Sequence, residues 1–326
     1  MRTTPVGNFG RGELVTVFGG SGFIGRYVVR RLAHAGWQVR VAVRRPDEAL
    51  FCKTAGTPGQ VVPVAVNVRD PASVRAAVSG AAAIVNLVGI LFQAGPQRFD
   101  AVHAQGAANI AAAAASAGVR ALVQVSAIGA DAQSPALYAR SKAAGEAAVA
   151  KTFPDTTILR PSIVFGPEDD FFNRFAKLAL LAPGLPLIGG GTTRFQPVYV
   201  LDVAEAIARA VENPELHAGK TYELGGPKIY SFRELMTLLL AEIGRKRCLC
   251  SLPFALASLQ GAVFQSIPFI TPPLTADQVK LLRRDNVVGP QAAGFKELGI
   301  TPTALEPILP TYLDRYRPQG YYSRVG

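Results

Sequence analysis

The segment Leu14-Val15-Thr16-Val17-Phe18 runs directly into Gly19-Gly20-Ser21-Gly22-Phe23-Ile24-Gly25, and an amphipathic stretch from Arg26 to Ala35 follows. No other feature of the 326-residue chain narrows its folding choices as far. The apolar and β-branched run is strand-like. Glycines at 19, 22 and 25 form GxxGxxG where that strand must turn into a helix. The first glycine allows a tight turn. The middle one removes a Cβ so that backbone can approach a pyrophosphate, and the last lets helix and strand pack closely. The helix start then offers unbonded N–H groups and a partial positive charge to an anion. A glycine turn without a ligand is the plainer alternative, but strand, loop and helix in this order are the context that a dinucleotide site requires.

Strand-like and helical patterns alternate through the first half of the chain. Further strands are expected at 38–43, 61–66, 83–88, 121–125 and 157–160, with helices at 73–78, 103–117 and 142–153. Such alternation builds βαβ units and a parallel sheet covered on both faces. The expected fold class is therefore α/β, a doubly wound parallel sheet of the Rossmann kind. The rhythm changes after Phe165. Proline and glycine make 183–191 read as loop, a helix is expected over 203–211, and Glu223-Leu224 reads as a strand end before a Gly225-Gly226-Pro227 turn. Ser231 with Glu234 is a capping box for a helix reaching Leu240. The division expected is a dinucleotide-binding domain over 1–165 and a smaller, irregular lobe over 166–326, interleaved with the last strands and facing substrate or partner.

Composition excludes several classes. With 49% hydrophobic and 17% charged residues the chain is not disordered at large. Three cysteines exclude a disulfide framework and a four-cysteine zinc site, and His34, His103 and His217 are too scattered to suggest a metal. The net charge of +11 suits an anionic cofactor, an anionic membrane surface or an acidic partner. Charge alone permits nucleic acid, but none is expected as a partner. No apolar core follows Met1-Arg2-Thr3-Thr4-Pro5-Val6-Gly7, so no secretory signal is expected. The charge-free run 248–276 is long enough to cross a bilayer, but Pro253, Pro268, Pro272 and Pro273 interrupt it. A helix buried in the second lobe is the favoured reading. Its basic flanks, Arg245, Lys246, Arg247, Lys280, Arg283 and Arg284, leave open a contact of 248–284 with an anionic membrane surface or a partner.

Two further patterns bear on the cofactor. The second strand ends Val43-Arg44-Arg45-Pro46, so Arg44 stands where users of NAD place an acid for the ribose 2′-hydroxyl. Guanidinium groups grip a 2′-phosphate that a carboxylate would repel, so NADPH is expected over NADH. Leu137-Tyr138-Ala139-Arg140-Ser141-Lys142 opens a helix after the fifth strand and puts Tyr138 and Lys142 on one face. A nearby ammonium lowers a phenol's pKa, which would fit Tyr138 for acid–base work beside a nicotinamide.

At this point the chain resembles the extended, atypical branch of the short-chain dehydrogenase/reductase superfamily. The resemblance rests on the glycine loop, Asn86-Leu87-Val88-Gly89, Gly106 with Asn109, Tyr138 with Lys142, and Arg160-Pro161-Ser162-Ile163-Val164-Phe165-Gly166-Pro167. In Val125-Ser126-Ala127-Ile128-Gly129-Ala130, Ile128 stands at the position of that branch's catalytic hydroxyl and Ser126 at a structural one, so Ser126 serves only if the register differs. Within the branch the chain is similar to the NADPH-binding accessory subunit of respiratory complex I, the alpha-subcomplex subunit 9 family. The shared strings include 18–32, Lys142-Ala143-Ala144-Gly145-Glu146, Phe165-Gly166-Pro167-Glu168-Asp169 and 196–203.

The resemblance implies NADPH held as a structural cofactor and complex I subunits as partners. It also implies a peripheral place on the cytoplasmic side of a bacterial inner membrane, with a soluble cytoplasmic protein as the alternative. By position it assigns Gly19, Gly22, Phe23, Ile24 and Gly25 to the pyrophosphate, Arg44 and Arg45 to the 2′-phosphate, and Asn67 and Val68 to the adenine. Leu87, Val88 and Gly89 would line the channel, Tyr138 and Lys142 contact the nicotinamide ribose, and Pro161, Ser162 and Ile163 the nicotinamide. An active NADPH-dependent reductase, epimerase or isomerase of a small or isoprenoid substrate is the alternative that the Tyr138–Lys142 pair keeps open. A redox-sensing regulator has only the glycine loop behind it.

Overall fold

The structure, a computed structural model, describes residues 10–265 and 274–320. The N-terminal stretch and residues 266–273 of the apolar run, on which two of the expectations above fall, lie outside the described residues. The first half alternates as expected: β1 (Leu14–Phe18), α1 (Phe23–His34), β2 (Gln38–Val43), β3 (Val61–Ala65), α2 (Pro71–Val78), β4 (Ala83–Asn86), α3 (Gly106–Ser116), β5 (Ala121–Val125), α4 (Leu137–Thr152) and β6 (Thr157–Pro161). A π-helical turn, Asp100–Gln105, leads into α3. The second half holds β7 (Val164–Phe165), α5 (Phe171–Leu181), β8 (Gly184–Ile188), β9 (Arg194–Phe195), β10 (Val198–Tyr199), α6 (Val200–Glu212) and a single turn, α7 (Pro214–His217). It continues with β11 (Thr221–Leu224), β12 (Tyr230–Ser231), α8 (Phe232–Glu242), β13 (Cys248–Leu252), α9 (Phe254–Gln265) and α10 (Ala276–Leu281).

Seven strands form one parallel sheet in the order β11-β6-β5-β4-β1-β2-β3. The chain winds outward from β1 in one direction and from β4 in the other, so the crevice between these two strands is the switch point where such sheets bind ligands. Strand alternation supplies the two buried faces. Val15 and Val17 pack with Val28, Val29 and Leu32 of α1 and with Val203, Ile207 and Val211 of α6. Phe18, with Ile84 and Leu122 of the neighbouring strands, packs with Val74 of α2 and with Ile110 and Ala111 of α3. The alanines of α3 keep that layer thin.

The second lobe has its own core, in which Phe165, Phe172, Leu187, Phe232, Leu235 and Leu239 are buried together. A buried carboxylate braces this lobe, and an ion pair ties α4 to the sheet. The Asp169 carboxylate accepts the backbone N–H groups of Phe172 at 2.6 Å and Asn173 at 3.2 Å, and the Tyr312 hydroxyl at 2.6 Å. Arg160 of β6 donates to both oxygens of Glu146 on α4, at 2.9 and 2.6 Å, and lies 3.6 Å from Glu223 of β11.

Two readings change. The stretch 183–191 contains β8, whose Leu185 and Leu187 are buried and which pairs in parallel with β13. The apolar run therefore opens as a strand, because Cys248–Leu252 finds the edge of β8. Only after Pro253 does it become α9, and there Leu256 and Leu259 are exposed rather than filling a groove. Among the described residues no helix is long and apolar enough to cross a membrane.

Replacing Glu146 by alanine leaves the Arg160 cation without its forked partner in a largely buried place. The expected loss is about 2–3 kcal/mol of unfolding free energy, read from urea denaturation. A loss within error of zero would show that the pair does not bind α4 to β6.

Candidate functional site

The glycine loop sits at the C-terminal end of β1. Gly19 turns with φ +77°, its N–H donating to Ala42 at 3.0 Å, and the Gly22 N–H returns to the Gly19 carbonyl at 3.0 Å. Helix α1 starts at Phe23 with no side-chain cap and no acidic residue in its first turn. Its positive end, with the N–H groups of Phe23, Ile24 and Gly25, is thus open to an anion. A Cβ on Gly25 would lie 2.4 Å from the Gly19 carbonyl oxygen, so only glycine lets the helix press onto the loop.

The segment after β4 meets this loop from the other side of the switch point. A Cβ on Gly19 would lie 3.3 Å from the Leu87 carbonyl carbon. The Leu87 N–H donates to Phe18 at 3.0 Å and the Val88 N–H to the Asn86 side chain at 3.0 Å, while the Asn86 amide donates to Gln124 at 2.8 Å. Gly19, Gly22, Phe23, Ile24 and Gly25 are thereby brought together with Leu87, Val88 and Gly89. The residues assigned to the far end of a dinucleotide follow β2 and β3. Arg44 is exposed there. Arg45, also exposed, is engaged with Glu48 at 2.6 Å. The Asn67 side-chain oxygen accepts from Arg69 at 3.2 Å, and the Val68 carbonyl accepts the Asn109 amide at 2.9 Å.

At the other end, Tyr138 stands in the first turn of α4 and Lys142 one turn on. The Lys142 Nζ lies 5.9 Å from the centre of the Tyr138 ring and 3.5 Å from the Val125 carbonyl oxygen. It occupies room that a side chain at 89 would fill, since a Cβ on Gly89 would be 3.2 Å from it. Burial lowers the Lys142 ammonium to about 8, against the pull of the Glu146 charge. Burial also pushes the Tyr138 phenol up to about 12. That direction is opposite to the one expected from the spacing, because burial takes water from the phenolate.

His103, set aside in the sequence as no metal ligand, is part of this end. It is buried on the π-helical turn. Its Nε2 accepts the Ile90 N–H at 2.9 Å, which leaves the proton on Nδ1 to be donated to Ser141 Oγ at 2.8 Å. The Ser141 hydroxyl then donates to the Tyr138 carbonyl at 2.7 Å. Burial first, and the Lys142 charge second, lower the His103 pKa to about 3, so the ring is neutral. Its edge meets Tyr138 at 5.5 Å between ring centres and its face stacks on Phe99 at 5.4 Å.

Ile128 is buried, its N–H donating to the Pro161 carbonyl at 3.0 Å and its carbonyl accepting the Asn286 amide at 3.3 Å. Ser126 is buried directly after β5, and its hydroxyl has no partner among the described residues. Pro161 ends β6 and Ser162 and Ile163 follow it; the Ser162 hydroxyl donates to the Asn286 side-chain oxygen at 2.6 Å. Asn286 carries no local sequence signal, since it is 124 residues from Ser162. His103 left a faint one, a ring embedded in an alanine-rich helical stretch.

A dinucleotide fits these residues. The open start of α1, the side-chain-free cradle of Gly19 and Gly25 and the unpartnered Ser126 hydroxyl lie at the C-terminal edge of the sheet, on either side of the switch point. The model of the NAD dependent epimerase/dehydratase family matches residues 15–225. NADH dehydrogenase [ubiquinone] 1 alpha subcomplex subunit 9, mitochondrial, of Arabidopsis thaliana is 37% identical over 318 residues, covering 95% of this chain and 79% of that protein. A ceramide reductase of Caulobacter vibrioides is 31% identical over 240 residues, 74% of each chain. Among solved structures, the dTDP-glucose 4,6-dehydratase DesIV of Streptomyces venezuelae, with NAD bound, superposes with a TM-score of 0.71 at 21% identity, over 96% of this chain and 97% of that one.

His103 is neutral in the folded protein down to about pH 3, whereas unfolded histidine takes up its proton near 6.5. The unfolded state therefore binds more protons between these values, and stability falls as pH drops below about 6.5. His103→Gln removes this linkage. The stability lost between pH 7 and pH 4.5 is expected to shrink by about 2–3 kcal/mol, measured by urea unfolding at each pH. An unchanged acid limb would mean that His103 charges in the native state.

Proposed function

Because the chain belongs to the NAD dependent epimerase/dehydratase family, with alpha subcomplex subunit 9 proteins as its relatives, we propose that it is an accessory subunit of respiratory complex I that holds NADPH with little or no turnover. The observation that carries this reading is Ile128, buried where an active member places a hydroxyl beside the tyrosine. With Ile128 there, that position offers no hydroxyl to share a substrate carbonyl with the Tyr138 phenol, which keeps its proton near neutral pH.

When bound, the cofactor supplies a hydride at its nicotinamide. The chain's own residues bind and orient it. The start of α1 with Gly19, Gly22, Phe23, Ile24 and Gly25 takes the pyrophosphate, and Arg44 takes the 2′-phosphate, with Arg45 joining only by giving up Glu48. Asn67 and Val68 border the adenine, Leu87, Val88 and Gly89 line the channel, Tyr138 and Lys142 hold the nicotinamide ribose, and Pro161, Ser162 and Ile163 meet the ring. The surface offered to neighbouring subunits or the membrane, on the cytoplasmic side of the inner membrane, is the exposed Leu256 and Leu259 of α9, with the Arg283 guanidinium 5.0 Å over the Phe254 ring at the same helix and Lys246 and Arg247 preceding the segment in sequence.

A second reading, an active NADPH-dependent reductase, is favoured by the likeness to the ceramide reductase and by the adjacency of Tyr138 and Lys142. In that case the unpartnered Ser126 hydroxyl stands in for the missing one.

The purified protein is expected to keep NADPH through gel filtration and not to oxidise it with added carbonyls or quinones. Turnover abolished by Tyr138→Phe would support the reductase instead. Arg44→Ala is expected to weaken NADPH at least about tenfold and NADH little, by calorimetry. Equal losses for the two would remove the preference for the phosphate. In mildly solubilised membranes the chain should co-migrate with NADH dehydrogenase activity.

A further inference from the structure

Helix α4 carries Tyr138 in its first turn, yet nothing local caps it. Ala136 precedes it in an extended conformation and has no side chain to offer the first N–H groups. The cap comes from 139 and 140 residues away. Asp277 places one carboxylate oxygen 2.7 Å from the Leu137 N–H and the other 2.9 Å from the Tyr138 N–H. A carboxylate there also faces the positive end of a helix 16 residues long.

Asp277 is itself held. It lies in the first turn of α10, whose start is closed by the Thr275–Gln278 capping box, with both bonds at 3.1 Å. The segment beyond it is tied to the same wall of the site. Lys280 reaches the Pro135 carbonyl at 3.4 Å, Arg284 pairs with Asp131 at 2.7 Å, and Asn286 bonds to Ile128 and Ser162 at 3.3 and 2.6 Å.

We infer that Asp277 is the positioning residue for Tyr138, a fixed anchor in the second lobe that sets where the phenol stands and so how tightly the nicotinamide half of the cofactor is held. This rests on the reading that the Tyr138 end receives that half. Asp277 acts through the backbone alone. Without it the first turn of α4 frays, whereas Lys142, a turn further on, keeps its intrahelical bonds. The glycine loop belongs to another helix and is untouched.

The test uses two ligands and one measurement without any. Dissociation constants are measured for NADPH and for 2′,5′-ADP, which lacks the nicotinamide half, with the wild type, Asp277→Ala, Asp277→Asn, Tyr138→Phe and the Asp277→Ala/Tyr138→Phe double variant. Asp277→Ala should weaken NADPH about three- to tenfold, the range expected for losing a helix cap. Binding of 2′,5′-ADP should stay within about twofold. Asp277→Asn, which keeps one carbonyl acceptor, should fall between. The double variant should lose no more than the larger single loss, because both changes remove the same contact.

Equal weakening of both ligands, no weakening of NADPH, or losses that multiply would overturn the inference. Hydrogen exchange of the nucleotide-free protein decides the positioning claim independently. Asp277→Ala should speed exchange over 137–141 and leave 145–152 unchanged. If that pattern is absent, Asp277 does not hold the turn. If it is present while wild type binds neither ligand, the anchor stands and the cofactor reading fails.

Discussion

The Gly19 carbonyl oxygen and Gly25, in the first turn of α1, share space that a single methyl group would fill. Helix α1 presses on the glycine loop only because that space is empty. With the helix seated there, β1 and β2 pair in parallel, the open N–H groups of the first turn face outward at the sheet's edge, and the segment after β4 closes against Gly19. The anion site and the crossover geometry are therefore one arrangement, and the switch point between β1 and β4 follows from it.

At the opposite end of the crevice the controlling quantity is burial. Tyr138, Lys142 and His103 stand close enough to interact, and each is pushed toward its neutral form, the phenol up and the two bases down. Low polarity disfavours every charge there, and the Lys142 charge adds to the effect on His103. A neutral histidine with its proton on Nδ1 locks the Ile90 backbone to Ser141 and through it to the Tyr138 carbonyl.

The second lobe contributes position more than chemistry. Its buried Asp169 gathers α5 and the Tyr312 hydroxyl, and Asn286 and Asp277 reach across to the loops after β5 and β6 and to the start of α4. The bonds of Asn286 and Asp277 join residues more than a hundred positions apart, and they make the lobe part of the wall of the site. The same lobe leaves Leu256 and Leu259 of α9 in solvent.

What could be read in the sequence is what depends on local spacing. Apolar, β-branched runs and amphipathic stretches marked six of the seven strands of the sheet and their helices, and the GxxGxxG run marked the turn between β1 and α1. The four-residue interval put Tyr138 and Lys142 on one face. What only the folded chain decided has no local period. Cys248–Leu252 became a strand because β8 had a free edge. Asn286 and Asp277 joined the site from a distant segment. Even the direction of the Tyr138 shift was a tertiary matter, since a sequence counts the charges near a group but not the water removed from it.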